Sequence, residues 1–157
     1  MFLSDVLDRN NVAGPVSANS KRHALQIVAD LAERGLAGYG LDSETLLQGL
    51  LEREKLSSTG VGLGVAVPHA ALPGLTRMHG VFVRLETPVE YEAIDDVPVD
   101  LIFALFAPED AGSEHLRALA KVSRILRQKE LRDQLRRVES ADAIYALLNR
   151  TEAPNAA

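Results

Sequence analysis

The longest apolar run in the chain, "VDLIFALFA" at residues 99–107, is interrupted only by Asp100. It is far shorter than the roughly 20 apolar residues of a membrane span, and its length is that of a strand. Near-continuous apolar character is typical of a central strand that is buried on both faces, in a sheet covered by helices on both sides. The run therefore predicts an α/β fold with the architecture of a three-layer sandwich.

Helical periodicity and turn residues divide the rest of the chain. Apolar residues recur at helical spacing over residues 21–34, Ser20 is a suitable N-cap, and Gly35 and Gly38 are expected to end that helix. Strands are expected at 64–68, 79–86, 89–95 and 99–107. A second helix is expected from a cap at Asp42 or Ser43 to about Lys55. Three more are expected near the end of the chain: 113–126 with Ser113 as cap, 129–138, and 140–150 with Ser140 as cap.

Composition restricts the class of protein. The 157 residues fit a single domain at 1–150 with a frayed tail at 151–157, and the formal net charge of −5 argues against a nucleic-acid partner. The chain has no cysteine, which excludes disulfides, thiolate metal sites and a cysteine nucleophile. Because neither a signal peptide nor a membrane-length run is visible, we expect a cytoplasmic protein without membrane insertion. The spacing of the histidines predicts no metal site, and nothing indicates a cofactor.

The segment "STGVGLGVAVPHA" at 58–70 is the strongest functional candidate. Its glycines allow a backbone to approach a ligand closely, and successive N–H groups with the hydroxyls of Ser58 and Thr59 can bind an anion. Pro68 stiffens the approach to His69. The spacing fits neither a Walker A loop nor a dinucleotide fingerprint. From the residues alone, a simple glycine-rich turn that happens to precede His69 stays an alternative.

Two other side chains could assist His69. His115 falls in the first turn of a predicted helix, where the helix dipole disfavours imidazolium and favours a nearby phosphate. Arg53 falls at the end of the second helix, and its guanidinium suits bidentate phosphate contact. Each has an ordinary alternative as a solvent-exposed helix residue. His23, between basic residues on a predicted helix, is expected at the surface, and His79 opens a predicted strand without such a loop context.

Three ordered segments, 51–70, 80–110 and 114–126, resemble the mannitol–fructose type IIA domains of the phosphoenolpyruvate-dependent phosphotransferase system. The middle segment, "GVFVRLETPVEYEAIDDVPVDLIFALFAPED", is most similar to the nitrogen-regulatory branch, IIA(Ntr). The resemblance implies a mixed β-sheet flanked by helices on both sides. It also implies that His69 accepts a phosphoryl group, that His115 is the second active-site histidine and that Arg53 contacts phosphate.

The resemblance further implies partners and a role. The donor would be an HPr-like or NPr-like phosphocarrier, residues Ser58, Thr59 and Gly60 would form the phosphate loop, and no cofactor would be needed. Phosphorylation state would regulate target proteins, such as potassium-transport or sensor-kinase components in relatives. Two alternatives stay open: a fructose- or mannitol-specific IIA that passes phosphate to a separate IIB during sugar uptake, and a binding module that takes up no phosphate.

Overall fold

The apolar run at 99–107 forms the central strand of a six-stranded sheet in the computed structural model of the protein, which describes residues 3–150. The strands are β1 (Leu7–Val16), β2 (Gly60–Gly62), β3 (Val65–Ala66), β4 (His69–Leu72), β5 (His79–Val89) and β6 (Val99–Pro108). The helices are α1 (Lys21–Leu36), α2 (Ser43–Leu56), α3 (Ser113–Leu126), α4 (Lys129–Arg137) and α5 (Ala141–Arg150), with 3-10 turns at Leu3–Asp5 and Ala37–Tyr39.

The sheet is mixed, as the resemblance implies. Its order is β1-β5-β6-β3-β2, and β4 also pairs with β6. Strand β6 runs antiparallel to β5 along one edge and parallel to β3 and β4 along the other. The short strands β3 and β4 therefore follow one another along the same edge of β6, and His69 begins the second of them.

The side chains of β6 alternate between two apolar cores, one on each face of the sheet. Ile102, Ala104 and Phe106 pack with α1 and α2, whereas the intervening residues Leu101, Phe103 and Leu105 pack with α3, α4 and α5. All six are fully buried. This arrangement confirms the predicted three-layer α/β sandwich and explains why the segment is apolar on both faces.

The predicted helix starts are largely confirmed. The Ser20 and Asp42 side chains accept hydrogen bonds from the backbone N–H groups of His23 and Thr45, and Ser140 accepts one from Ala143. Gly35 does not end α1: the helix continues to Leu36 and then tightens into the turn at Ala37–Tyr39. The chain leaves that turn at Gly40, whose φ of 75° is in the left-handed region that favours glycine.

Two other local predictions are wrong. Ser113 is the first residue of α3 and not its cap, because Gly112 occupies the cap position and offers no side-chain oxygen. Residues 90–95 form no strand, since β5 ends at Val89 and the chain then turns. The predicted tail at 151–157 lies outside the described residues. Between residues 3 and 150, no helix is long and apolar enough to cross a membrane.

Candidate functional site

His69 lies at the start of β4 with both ring nitrogens hydrogen-bonded. Nδ1 lies 3.0 Å from the carbonyl oxygen of Val67, and Nε2 accepts a hydrogen bond of 3.1 Å from Nε of Arg53. A carbonyl can only accept and a guanidinium can only donate. Nδ1 must therefore carry the proton, and the lone pair of Nε2 faces Arg53.

Arg53 reaches His69 from the last turn of α2. Its Nη1 donates to the carbonyl oxygen of Ser57 at 2.9 Å, just beyond the end of the helix. The guanidinium thus bridges the helix terminus and the imidazole. These two bonds hold its positive charge beside Nε2. A phosphoryl group on Nε2 would meet this cation directly.

His115 completes a group of three side chains. It is the third residue of α3, and its ring stands nearly perpendicular to that of His69, with 5.3 Å between ring centroids and an interplanar angle of 85°. Its Nε2 is buried and has no hydrogen-bond partner among residues 3–150. The fold therefore brings Arg53, His69 and His115 together from three separate elements.

Burial keeps both imidazoles neutral. Desolvation lowers the pKa of His69 below its usual value, the Val67 carbonyl raises it, the charge of Arg53 lowers it and that of Glu54 raises it. Desolvation also lowers the pKa of His115, and the neighbouring His69 adds to this effect. Near neutral pH, His69 therefore has an available lone pair on Nε2, which a nucleophile requires.

The loop from Ser58 to Gly60 uses its polar groups within the protein. Oγ of Ser58 donates to the carbonyl of Tyr91 and accepts from the N–H of Gly60, both at 3.1 Å. Thr59 is buried, and its N–H and hydroxyl both donate to the carboxylate of Glu54. The assignment of Ser58, Thr59 and Gly60 to phosphate binding stays a prediction.

Glu54 is a residue of this site that the sequence analysis missed. Its side chain is only 6% exposed, and besides Thr59 it binds Nζ of Lys21 at 2.9 Å. Lys21 also lies 4.5 Å above the ring of Tyr91, whose hydroxyl is 3.1 Å from that of Thr59. This buried network of Lys21, Glu54, Thr59 and Tyr91 fixes the loop relative to α1 and α2.

The environment of Tyr91 shows how closed this network is. Burial, reinforced by the negative charge of Glu54, raises the pKa of the Tyr91 phenol far above its usual value.

The position of Glu54 in its helix gives one sequence signal for its role. A carboxylate in the last turn of a helix faces the negative end of the helix dipole, so a buried one there requires a separate cationic partner.

Glycines let this loop pack against its neighbours. A Cβ on Gly60 would lie 2.7 Å from Cβ of Ala93, and one on Gly64 would overlap the guanidinium of Arg136. Arg136 binds both carboxylate oxygens of Asp100 and donates to the carbonyl of Leu63 at 2.8 Å. The glycines thus allow close packing of the segment that leads to His69, and Arg136 anchors the turn between β2 and β3.

Comparison with known proteins identifies relatives of the same length. Residues 5–151 match the family described as "Phosphoenolpyruvate-dependent sugar phosphotransferase system, EIIA 2". The chain is 41% identical over 148 residues to a nitrogen regulatory protein of Bradyrhizobium diazoefficiens, covering 94% of this chain and 95% of that protein. It is also 41% identical over 151 residues to the nitrogen regulatory protein of Escherichia coli K12, covering 96% and 91% of the two chains.

A solved structure agrees with these sequence matches. The crystal structure of nitrogen regulatory protein IIA-Ntr from Neisseria meningitidis superimposes with a TM-score of 0.86 at 36% identity, covering 93% of this chain and 98% of that one. Given the sheet, the three converging side chains and these matches, the chain belongs to the EIIA type 2 family of the phosphoenolpyruvate-dependent phosphotransferase system, with nitrogen regulatory proteins among its relatives.

Proposed function

We propose that the protein is a cytoplasmic phosphohistidine carrier that accepts a phosphoryl group on Nε2 of His69 from an HPr-like or NPr-like protein. We further propose that it regulates target proteins by its phosphorylation state. The observation that carries the proposal is the hydrogen bonding of His69. The Val67 carbonyl holds the proton on Nδ1, so the lone pair on Nε2 is presented to Arg53 in a half-buried site.

The transfer step follows from this geometry. The lone pair of Nε2 forms a nitrogen–phosphorus bond while the bond from phosphorus to the carrier breaks, and the bonding pair stays on the carrier. Arg53 turns from Nε2 toward the incoming phosphoryl oxygens. The proton stays on Nδ1, where the carbonyl of Val67 stabilises the positive charge that the phosphorylated ring acquires.

Arg53 and His115 would stabilise the charge on the transferring group. Arg53 supplies a guanidinium beside Nε2, and the neutral ring of His115 can donate one N–H from the first turn of α3. Positioned donors of this kind act strongly in a partly buried site because water does not compete fully. The product adds roughly two negative charges to the site, which can change how a partner surface is recognised.

An apolar surface beside the site supports a protein partner. Five exposed apolar side chains lie on the helices of Arg53 and His115 or on the segments around the loop 58–64: Leu56, Val61, Leu63, Ile94 and Leu116. Leu56 ends α2, Leu116 follows His115, and the backbone of Ile94 bonds to Gly60. Exposed apolar side chains around a charged centre are typical of a protein-interaction site.

Phosphotransfer labelling tests the proposal. With phosphoenolpyruvate, Enzyme I and the HPr-like carrier, we expect one phosphate per chain, attached at Nε2, and none in His69→Ala. His23→Ala is the matched control, because the His23 ring lies on α1 and bonds to the neighbouring Asn19, away from Arg53 and His115 in the sequence. Full labelling of His69→Ala would refute the assignment of the acceptor.

A second assay tests the regulatory role. The labelled protein is mixed with fructose- and mannitol-specific IIB proteins, and we expect little transfer of phosphate to either. Rapid and complete transfer to one of them would instead assign the protein to sugar uptake.

A further inference from the structure

A polar cleft, apart from the site of His69, lies where β1 and β5 begin. It has a volume of about 670 Å³ and is bounded by the turn at Leu3–Asp5, the start of β1, the end of α1 and the start of β5. None of Arg53, His69 and His115 lines it. The cleft is therefore separate from the proposed phosphoryl site, and its use does not depend on that proposal.

Two residues that line the cleft, Asn11 and His79, each have one polar atom that is closed to solvent and unpaired among residues 3–150. Asn11 is only 2% exposed, and its Oδ1 has no hydrogen-bond partner among residues 3–150. His79 is only partly buried as a residue, but its Nε2 is closed to solvent and also has no partner there. A buried polar atom left unpaired costs about 1–3 kcal/mol, so such atoms are typical of places where a further group binds.

Gly35 brings these two side chains together at the end of α1. A Cβ at this position would lie 2.5 Å from Cε1 and 2.8 Å from Nε2 of His79, and 3.4 Å from Nδ2 of Asn11. Any larger residue at 35 would therefore occupy the space that the imidazole fills. Gly35, His79 and Asn11 all line this one cleft.

The rim of the cleft carries both signs of charge. Arg34, in the last turn of α1, and Arg77, just before β5, are exposed guanidinium groups on the lining. Asp8 on β1 also lines the cleft and accepts a hydrogen bond from the N–H of Asn10. Burial lowers the pKa of His79, while the charge of Asp8 raises it and that of Arg77 lowers it, so the ring is neutral near pH 7.

We infer that this cleft binds a small organic anion whose body carries N–H or O–H donors. The anionic group, a carboxylate or a phosphate, lies between Arg34 and Arg77. The donors pair with the carboxylate of Asp8. Oδ1 of Asn11 and Nε2 of His79, which are closed to solvent in the free protein, pair with the same ligand once the His79 ring turns from Gly35 into the cleft. An apolar molecule or a simple cation would leave the buried amide oxygen or the guanidinium groups unmatched.

Four probe molecules test this inference on the full-length protein. L-aspartate and glycerol 3-phosphate combine an anion with donors and distinguish carboxylate from phosphate. Succinate lacks the donors, and glycerol lacks the anion. By calorimetry and by ¹⁵N NMR of histidine-labelled protein, we expect one of the first two to bind with a Kd below about 1 mM and to shift the His79 ring nitrogens. We expect at least tenfold weaker binding of succinate and glycerol.

Variants of exposed residues locate the binding. Arg34→Ala combined with Arg77→Ala should weaken binding at least tenfold, whereas Arg22→Ala, exposed near the start of α1, should leave it unchanged. The inference is overturned if neither anionic donor shifts His79 up to about 10 mM. It is equally overturned if the probes shift His69 and His115 in place of His79, or if all four probes bind alike.

Discussion

His69 and His79 flank the same strand and differ in how the protein holds them. His69 pairs with Leu105 on one edge of β6, and His79 pairs with Phe106 on the other. Burial lowers the pKa of both rings. Protein groups bond both nitrogens of His69, whereas Nε2 of His79 has no partner between residues 3 and 150. This difference fits the proposed role of the first ring as a nucleophile and of the second as a partner for a ligand.

The largest expected effect is that of Arg53→Ala, which should slow phosphoryl transfer to His69 and leave the surroundings of His79 unchanged. The substitution removes the donor on Nε2 of His69 and the cation beside it, so we expect phosphoryl transfer to slow by about 100- to 1,000-fold. Rapid-quench labelling measures the rate. Arg77→Ala, beside His79, is the control and should transfer at the wild-type rate; equal loss in both variants would remove the distinction between the sites.

The second largest expected effect is the loss of folding stability in Glu54→Gln. The change leaves Lys21 without its anionic partner and disturbs the bonds to Thr59, so we expect a loss of about 1.5–3 kcal/mol in the free energy of unfolding. Urea denaturation measures it. Glu52→Gln, which breaks an exposed pair with Lys55, should cost less than about 0.5 kcal/mol.

The same variant also separates the two rings in NMR titrations. Glu54 raises the pKa of His69, so its neutralisation should move the pKa of His69 further down. Its charge is not among the influences on His79, whose pKa should stay in place. A shift of similar size in both rings would contradict the separation of the two sites.

Gly35→Ala should have a smaller effect, confined to His79. The new methyl group would overlap the imidazole, which must turn into the cleft, and we expect a cost of about 1 kcal/mol relative to Gly38→Ala. A methyl group at Gly38 meets no atom within 4 Å. Urea denaturation and the His79 ¹⁵N shifts measure the change. An undisturbed His79 resonance in Gly35→Ala would show that the ring does not lie against α1.

The smallest expected effect is the dependence of stability on pH. The pKa values of His69, His79 and His115 all lie below 6.5 in the folded protein, so the unfolded chain binds more protons. This stability is fully present above about pH 6.5 and is lost as the pH falls through the folded-state values. Urea midpoints between about pH 7 and pH 5 measure the slope, which His79→Asn and His69→Asn should each reduce. A flat profile would show that these rings are not held neutral.

Local sequence patterns predicted the elements in which one signal dominates. The apolar run of β6 and the capped, periodic segments α1 and α2 are of this kind. Strand β1 was missed because "LDRNNVAGPV" is rich in turn-forming residues. An edge strand tolerates them. Among the strands between residues 3 and 150, β1 pairs with β5 alone, and its register shifts twice. Strands β2 and β4, of three and four residues, are too short for a periodic pattern.

The candidate site divides in the same way. The resemblance to a family indicated Arg53, His69 and His115, and the fold brings them together. The distances between these side chains could not be predicted, because they depend on how α2, β4 and α3 pack. Glu54 was missed because its partners Lys21 and Tyr91 are distant in sequence. Asn11 and His79 were missed because only the close approach of Gly35 to both makes them a pair.

The anchoring of the turn between β2 and β3 affects the affinity with which a protein can dock there. Arg136 ties the backbone of Leu63 to Asp100, and the N–H of Leu63 also donates to Asp95 at 2.9 Å. The backbone that carries the exposed side chain of Leu63 is thus fixed when the chain folds. A protein that docks on this turn meets a rigid shape, and little conformational entropy is lost on contact.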